Sequence, residues 1–300
     1  MSNTLENLRR KIAGAEQLES VVRTMKAQAA ANIGQYDMAM KALGDYYHTV
    51  ELGLTACFRQ SAPLAANAQE ENNSGGIVAV VFGSDQGLVG QFNDRLAEFV
   101  QKKMESLPGR KTLWAVGERV RGRLADAGFT VKKTFAVPGA ITAITPLVGQ
   151  ILTECVTERG QSMFIFYNHP ESGTVYKPVC QQLLPLDATW QKSIAQGAWP
   201  TKTLPEIITD TSAPVLRALI REYLFISLFK ASAESLASEN ASRLAAMQRA
   251  EKNIDELLEG LKQTSHSLRQ SSIDEELFDV IAGYEIATQA TGHRKQQAGT

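Results

Sequence analysis

"VVFGSDQGLVGQFND" (residues 80–94) begins as an apolar run, stops at a glycine, passes through a glycine-rich turn and continues in a helical pattern. A short apolar run bounded by turn residues predicts a buried strand, from Ile77 to Phe82, and the following residues predict a helix over 88–105. The pattern repeats along the chain. "TLWAVG" reads as a second strand before a charged helix at 117–127, and "FTVKKTFAV" as a third strand. A helix follows at 141–158, then "SMFIFYN" and "TVYKPVCQQLLPL" as fourth and fifth strands. Strands alternating with helices imply a parallel, Rossmann-like α/β sheet.

Strand, glycine turn and helix also suggest a phosphate-binding loop. The spacing argues against it. Gly83, Gly87 and Gly90 form G-x-x-x-G-x-x-G, not the dinucleotide pattern G-x-G-x-x-G, and no Gly-Lys-Ser/Thr follows. Glu118 could imitate a ribose ligand, but it lies about 30 residues on where about 20 are expected. Ser84 lacks a nucleophile-elbow motif and a placed histidine. Asp85 could act as a cap or as a partner contact. Cys57, Cys155 and Cys180 are far apart, as are His48, His169, His266 and His293, so neither a disulfide framework nor a metal site is expected. No cofactor and no catalytic constellation is expected. A net charge of -1 gives no basic field for nucleic acid. The N-terminus lacks a signal-peptide pattern and no run of 18 apolar residues occurs, so a soluble, cytoplasmic chain of bacterial type is expected.

Outside the α/β region the period changes. From Leu5 to Cys57 apolar or small residues recur at alternating steps of three and four, the seam of a coiled coil, and proline is absent until Pro63. After "TDTSAP", which offers caps and Pro214 for a helix start, no proline follows through Thr300. At 1.5 Å per residue these helices would be roughly 80 and 110 Å long, against a radius of gyration of roughly 19 Å for a compact chain of this size. Two readings fit: an antiparallel two-helix shaft on an α/β foot, its longer helix overhanging and needing a sleeve from another protein, or a bundle broken at Gly260 or near Gly34 and Gly44. The expected organisation is a coiled-coil helix at 1–60, a linker at 61–76, the α/β domain at 77–208, a second coiled-coil helix at 209–288 and a disordered polar tail at 289–300. "ASAESLASENASRLAAMQRA" (231–250) is dominated by alanine and serine, which allows neighbouring backbones to approach closely and also raises helix propensity.

The strand ending in "SDQGLVGQFN", the C-terminal "ASENASRLAAMQRAEKN", "RQSSIDEEL" (269–277) and "QQLLPL" (181–186) together resemble the gamma subunit of F-type ATP synthases over nearly the whole chain. The resemblance implies a non-catalytic central-stalk rotor. Its coiled coil would enter a hexamer of alpha and beta subunits, and its foot would sit with the epsilon subunit on the membrane ring of c subunits. It would be peripheral to the cytoplasmic face of a bacterial inner membrane. It also implies partner contacts at Met25, Asp85, Gln86, Glu239, Arg243, Arg269 and Gln270. Where the family's loop usually reads Ser/Thr-Asp-Arg-Gly-Leu-Cys-Gly-Gly, this chain has Gln86, Val89 and Gln91 in place of Arg, Cys and the last Gly. Gln86 cannot supply the cationic contact to beta. The N-terminal segment is also less basic than usual. A divergent branch, such as an alternate bacterial ATPase coupled to proton or sodium, would fit. The competing classes are a nucleotide-dependent enzyme using the α/β domain, and a coiled-coil scaffold unrelated to ATPases.

Overall fold

The computed structural model describes residues 2–60, 76–157, 161–171, 176–186, 188–203 and 213–297, so the expected linker lies outside the described residues except for Gly76. The chain divides into two units, Lys26–Ala246 and a second made of Met1–Met25 with Met247–Thr300. Two helices belong to both: α1, Ser2–Gln60, and α6, Ala213–Gln297. Neither breaks at Gly34, Gly44 or Gly260, and a Cβ at any of these would meet nothing within 4 Å. The breaks that a folded-back bundle requires at those glycines are therefore missing. At its far end α6 continues past residue 288 to Gln297, where a disordered tail was expected. Its last turns hold Ala, Gln, Arg and Lys, good helix formers, and no proline stops them.

Within Lys26–Ala246 five strands form one sheet: β1 Ile77–Phe82, β2 Lys111–Val116, β3 Val131–Phe135, β4 Ser162–Pro170 and β5 Tyr176–Leu184. Their order is β3-β2-β1-β4-β5. β1 is central and pairs in parallel with β2 and β4, and β2 pairs in parallel with β3. The parallel, Rossmann-like sheet that the sequence implies is present, with one exception at its edge, where β5 runs antiparallel to β4. Only residues 171–175 separate the two strands, too few for the crossover that a parallel return needs.

The helices between strands are α2 Phe92–Glu105, α3 Glu118–Asp126 and α4 Ile144–Thr157, the last preceded by a 3-10 turn at Ile141–Ala143. A short helix that the sequence did not announce, α5 Ala188–Ala195, follows β5. It packs Trp190 edge-on against Phe58 of α1 and donates the indole N–H to the Tyr223 hydroxyl of α6 at 3.1 Å. All six side chains of β1 are buried, and they alternate between two cores. Ile77, Ala79 and Val81 face Leu96 and Val100 of α2 and Leu124 of α3. Val78, Val80 and Phe82 join the core that holds Val148 and Ile151 of α4, Leu228 and Leu236 of α6, and Tyr36 of α1. A strand covered on both faces has no polar side to show, which is why it reads as an unbroken apolar run.

In the other unit the two helices bury Ala15 and Leu258. Arg23 pairs with Glu251 at 3.5 Å and Lys262 with Glu16 at 3.5 Å. Among the described residues no helix is long and apolar enough to cross a membrane.

Candidate functional site

The loop at 83–91 is held together from inside. Helix α2 starts at Phe92, so the expected helical residues 88–91 belong to the turn. Ser84 is fully buried. Its backbone N–H donates to Asn93 Oδ1 at 3.1 Å, its hydroxyl accepts from Asn93 Nδ2 at 2.8 Å, and the same hydroxyl donates to the Gln86 carbonyl at 2.8 Å. That occupies the oxygen a nucleophile would need. Asp85 accepts two backbone N–H groups, from Glu118 at 2.9 Å and from Val137 at 2.9 Å. It thereby satisfies an open donor at the start of α3 and ties down the segment after β3. Glu118, weighed as a ribose ligand, instead pairs with Arg121 at 2.6 Å.

Two glycines, one in the loop and one before α3, permit close packing here. A Cβ on Gly83 would lie 2.2 Å from the Val120 side chain of α3. Gly117, before α3, has φ 116, and a Cβ there would sit 2.5 Å from the Ser84 carbonyl oxygen. Close approach of strand, turn and helix requires them.

In open α/β sheets, ligands enter the crevice at the carboxyl ends of the strands. Here α6 occupies that edge. Residues 231–242 are all buried. Ser235 donates to the Phe82 carbonyl at the end of β1 at 2.8 Å, and Ser238 to the Asn168 carbonyl near the end of β4 at 2.9 Å. Ser242 donates to the Val89 carbonyl in the loop at 2.5 Å. Asn168 in turn donates to the Phe92 carbonyl at 3.3 Å. The alanine- and serine-rich stretch is thus an internal docking face, where small side chains bring the helix backbone close to strand ends. The sequence carried a signal for this, since hydroxyls at 235, 238 and 242 share one helical face.

Four of the seven residues assigned to partner contacts line one polar pocket of about 200 Å³: Asp85, Gln86, Glu239 and Arg243, with Tyr36 and Asn240. Glu239 is 5% exposed and accepts from Arg243 at 2.6 Å. Its Oε2 and the Arg243 Nε have no hydrogen-bond partner. Burial pushes the Glu239 carboxyl above the usual carboxylate range, Arg243 opposes that, and the Asp85 charge adds to it. Burial, then the Glu239 charge, also pushes the Tyr36 phenol up. Asn32 donates to Asn240 at 3.3 Å beside them. Met25, Arg269 and Gln270 belong to the other unit; Met25 is half-buried, and Arg269 and Gln270 are exposed.

An α/β domain whose ligand crevice is filled by its own helix, with that helix and a second one each far longer than the domain requires, defines a stalk-type subunit. The comparisons agree. The sequence matches the family described as ATP synthase over residues 4–286. It is 25% identical to the ATP synthase gamma chain of Syntrophus aciditrophicus over 288 residues, covering 94% of this chain and 97% of that one. It is 26% identical to the ATP synthase gamma chain of Moorella thermoacetica over 286 residues, covering 93% and 97%. The fold matches a chain in the OSCP/F1/c-ring structure of the Euglena gracilis mitochondrial ATP synthase with a TM-score of 0.67 at 19% identity, covering 97% of this chain and 96% of that one. The chain belongs to the family of F-type ATP synthase gamma subunits.

Proposed function

We propose that this chain is the rotor of its complex, a non-catalytic subunit that carries rotation between a membrane ring of c subunits and a hexamer of alpha and beta subunits. In this reading the catalytic residues lie in beta. Ion flow turns the ring and the shaft, and the shaft imposes a different conformation on each beta site through differential contacts. ATP hydrolysis drives it in reverse. The foot sits with an epsilon subunit on the ring, and the chain is peripheral to the cytoplasmic face of the membrane.

The observation that carries this proposal is on α6. Ile273, Leu277, Phe278, Val280 and Ile281 are between 46% and 70% exposed. Five large apolar side chains within three turns form a surface that water does not favour and that marks a protein contact. A hexamer closing around the helix covers it. Reconstitution tests the proposal. The purified chain should co-assemble with alpha and beta subunits, and Leu277→Asp with Phe278→Asp should weaken assembly while leaving the melting of the isolated chain within about 2 °C, because exposed positions contribute little to the fold. A wild-type chain that never joins the hexamer refutes the rotor. Micromolar binding of NAD or ATP to the isolated chain would favour an enzyme instead.

A further inference from the structure

The apolar core on the α4 side of the sheet is not closed everywhere. Between α4, β5 and the N-terminal turns of α6 it opens into a cavity of about 600 Å³, wholly within Lys26–Ala246. The floor belongs to the core: Met163 of β4, Leu183 of β5 and Leu228 of α6 are each no more than 3% exposed. Leu152 and Cys155 of α4 and Leu224 of α6 form half-buried walls. Protein interiors leave few voids, and apolar recesses of about 300–1,000 Å³ are the usual size of a small-molecule site. The mouth has a different character. Arg217 and Arg221, one turn apart on α6, are exposed at its edge, and none of the described residues that line the cavity is acidic. The carboxylates nearby in sequence are engaged elsewhere, Glu154 with Lys133 of β3 and Glu222 with Tyr46 of α1 at 2.8 Å. Two cations four residues apart on a helix repel each other, and an anion between them relieves that.

We propose that this cavity binds a single-chain amphiphile with a carboxylate head, a fatty acid in chemical class. Its aliphatic chain lies on Met163, Leu183 and Leu228, and its head lies between Arg217 and Arg221. The proposal does not depend on the rotor reading. The lining sets the ligand class. It is aliphatic and sulfur-containing and carries no aromatic ring, which favours a flexible chain over a planar ring system that would stack. The guanidinium forks at the mouth match a carboxylate in two-point geometry. The volume suits one chain, not the two of a membrane lipid. A bound chain touches α4, β5 and α6 at once. It therefore braces the helix on the sheet at a place that the serine bonds at 235, 238 and 242 do not reach.

The test titrates the full-length chain with decanoate, dodecanoate and tetradecanoate below their micelle concentrations, and follows alkylation of its cysteines by a maleimide. Cys155 lines the cavity, whereas Cys180 packs into the core on the other side of the sheet and serves as the internal control. Each added pair of methylenes should tighten binding about tenfold. Dodecanoate should slow alkylation of Cys155 and leave that of Cys180 unchanged. Arg221→Gln should weaken all three acids about fivefold or more while keeping the step with chain length. Leu224→Trp, which fills the wall, should abolish binding. If that variant fails to fold, Arg221→Gln and the alkylation pattern decide. Dodecyltrimethylammonium bound as tightly as dodecanoate, an absent chain-length step, or equal protection of both cysteines shows non-specific apolar binding only and overturns the proposal. So does a Cys155 that reacts in the isolated chain but is blocked, with no acid added, in the assembled complex, because a partner segment then covers the cavity.

Discussion

Replacing Arg243 with methionine removes the cation bonded to the buried Glu239 carboxylate. Glu239 and Arg243 approach at 2.6 Å, with side chains 7% and 13% exposed. Two unit charges about 4 Å apart attract by about 4 kcal/mol at the effective dielectric near a protein surface. Breaking a buried pair by deleting one partner costs about 3–5 kcal/mol, since the remaining charge stays out of water. The cost must depend on pH. The folded-state pKa of Glu239 already lies above its ordinary value because of burial, and losing Arg243 raises it further. A carboxyl with a raised folded pKa favours the folded state fully below its unfolded pKa, and that advantage is lost as pH rises through the folded value. At pH 4.5 Glu239 is largely protonated in the folded variant, and the cost falls to about 1 kcal/mol for the missing hydrogen bond. At pH 7.5 it approaches 3 kcal/mol, a drop in melting midpoint of about 6–12 °C. Urea denaturation of wild type and Arg243→Met at both pH values reads the difference directly. Glu239→Gln combined with Arg243→Met should recover most of the loss at pH 7.5. An equal loss at both pH values, or a double variant as unstable as the single, would refute the reasoning.

Other perturbations test the docking edge and the helices. Changing Ser235, Ser238 and Ser242 together to alanine removes three buried donors at 2.8, 2.9 and 2.5 Å and should destabilise the α/β unit by about 2–3 kcal/mol, the better helix propensity of alanine offsetting only part of the loss; chemical denaturation measures it. Gly117→Ala should cost more than about 3 kcal/mol, because φ is 116 and the new Cβ meets Ser84 backbone at 2.5 Å, and the soluble yield and melting midpoint would show it. Gly260→Ala places a methyl in open space on an unbroken helix and should stabilise the chain by about 0.8–1 kcal/mol; a lower helix content or midpoint by circular dichroism would contradict that.

Periodicity made the skeleton legible. The unbroken apolar run of β1 and the three-and-four spacing of α1 depend on local burial, which a sequence shows directly. What stayed hidden depends on contacts between distant residues. The direction of β5 followed from a connection of five residues between two runs whose boundaries were not sharp. Helix α5 is only eight residues long, too short to show a helical period, and its place is set by Phe58 and Tyr223 from elsewhere in the chain. At the site, "SDQGLVG" was readable as a strand-to-helix turn. Nothing local revealed that Asp85 caps a helix 33 residues away, or that Glu239 and Arg243 share a pocket with it. Leu88 looked like the first residue of a helix, whereas its positive φ places it in the turn before α2.

The crevice at the carboxyl edge of a parallel sheet is where this architecture ordinarily holds a small ligand, and here the same edge holds α6. Three serine hydroxyls bond the helix to carbonyls of β1, β4 and the loop, and β1 and β4 are each paired on both sides in the sheet. A hydroxyl–carbonyl bond at a fixed strand end resists both sliding of the helix along its axis and rotation about it, which apolar packing alone permits at lower cost. For a subunit proposed to carry torque that rigidity matters, because a helix able to slip on its foot would dissipate rotation before it reached the hexamer. The serine face thus uses the edge where such sheets ordinarily hold a ligand to lock the helix to the domain.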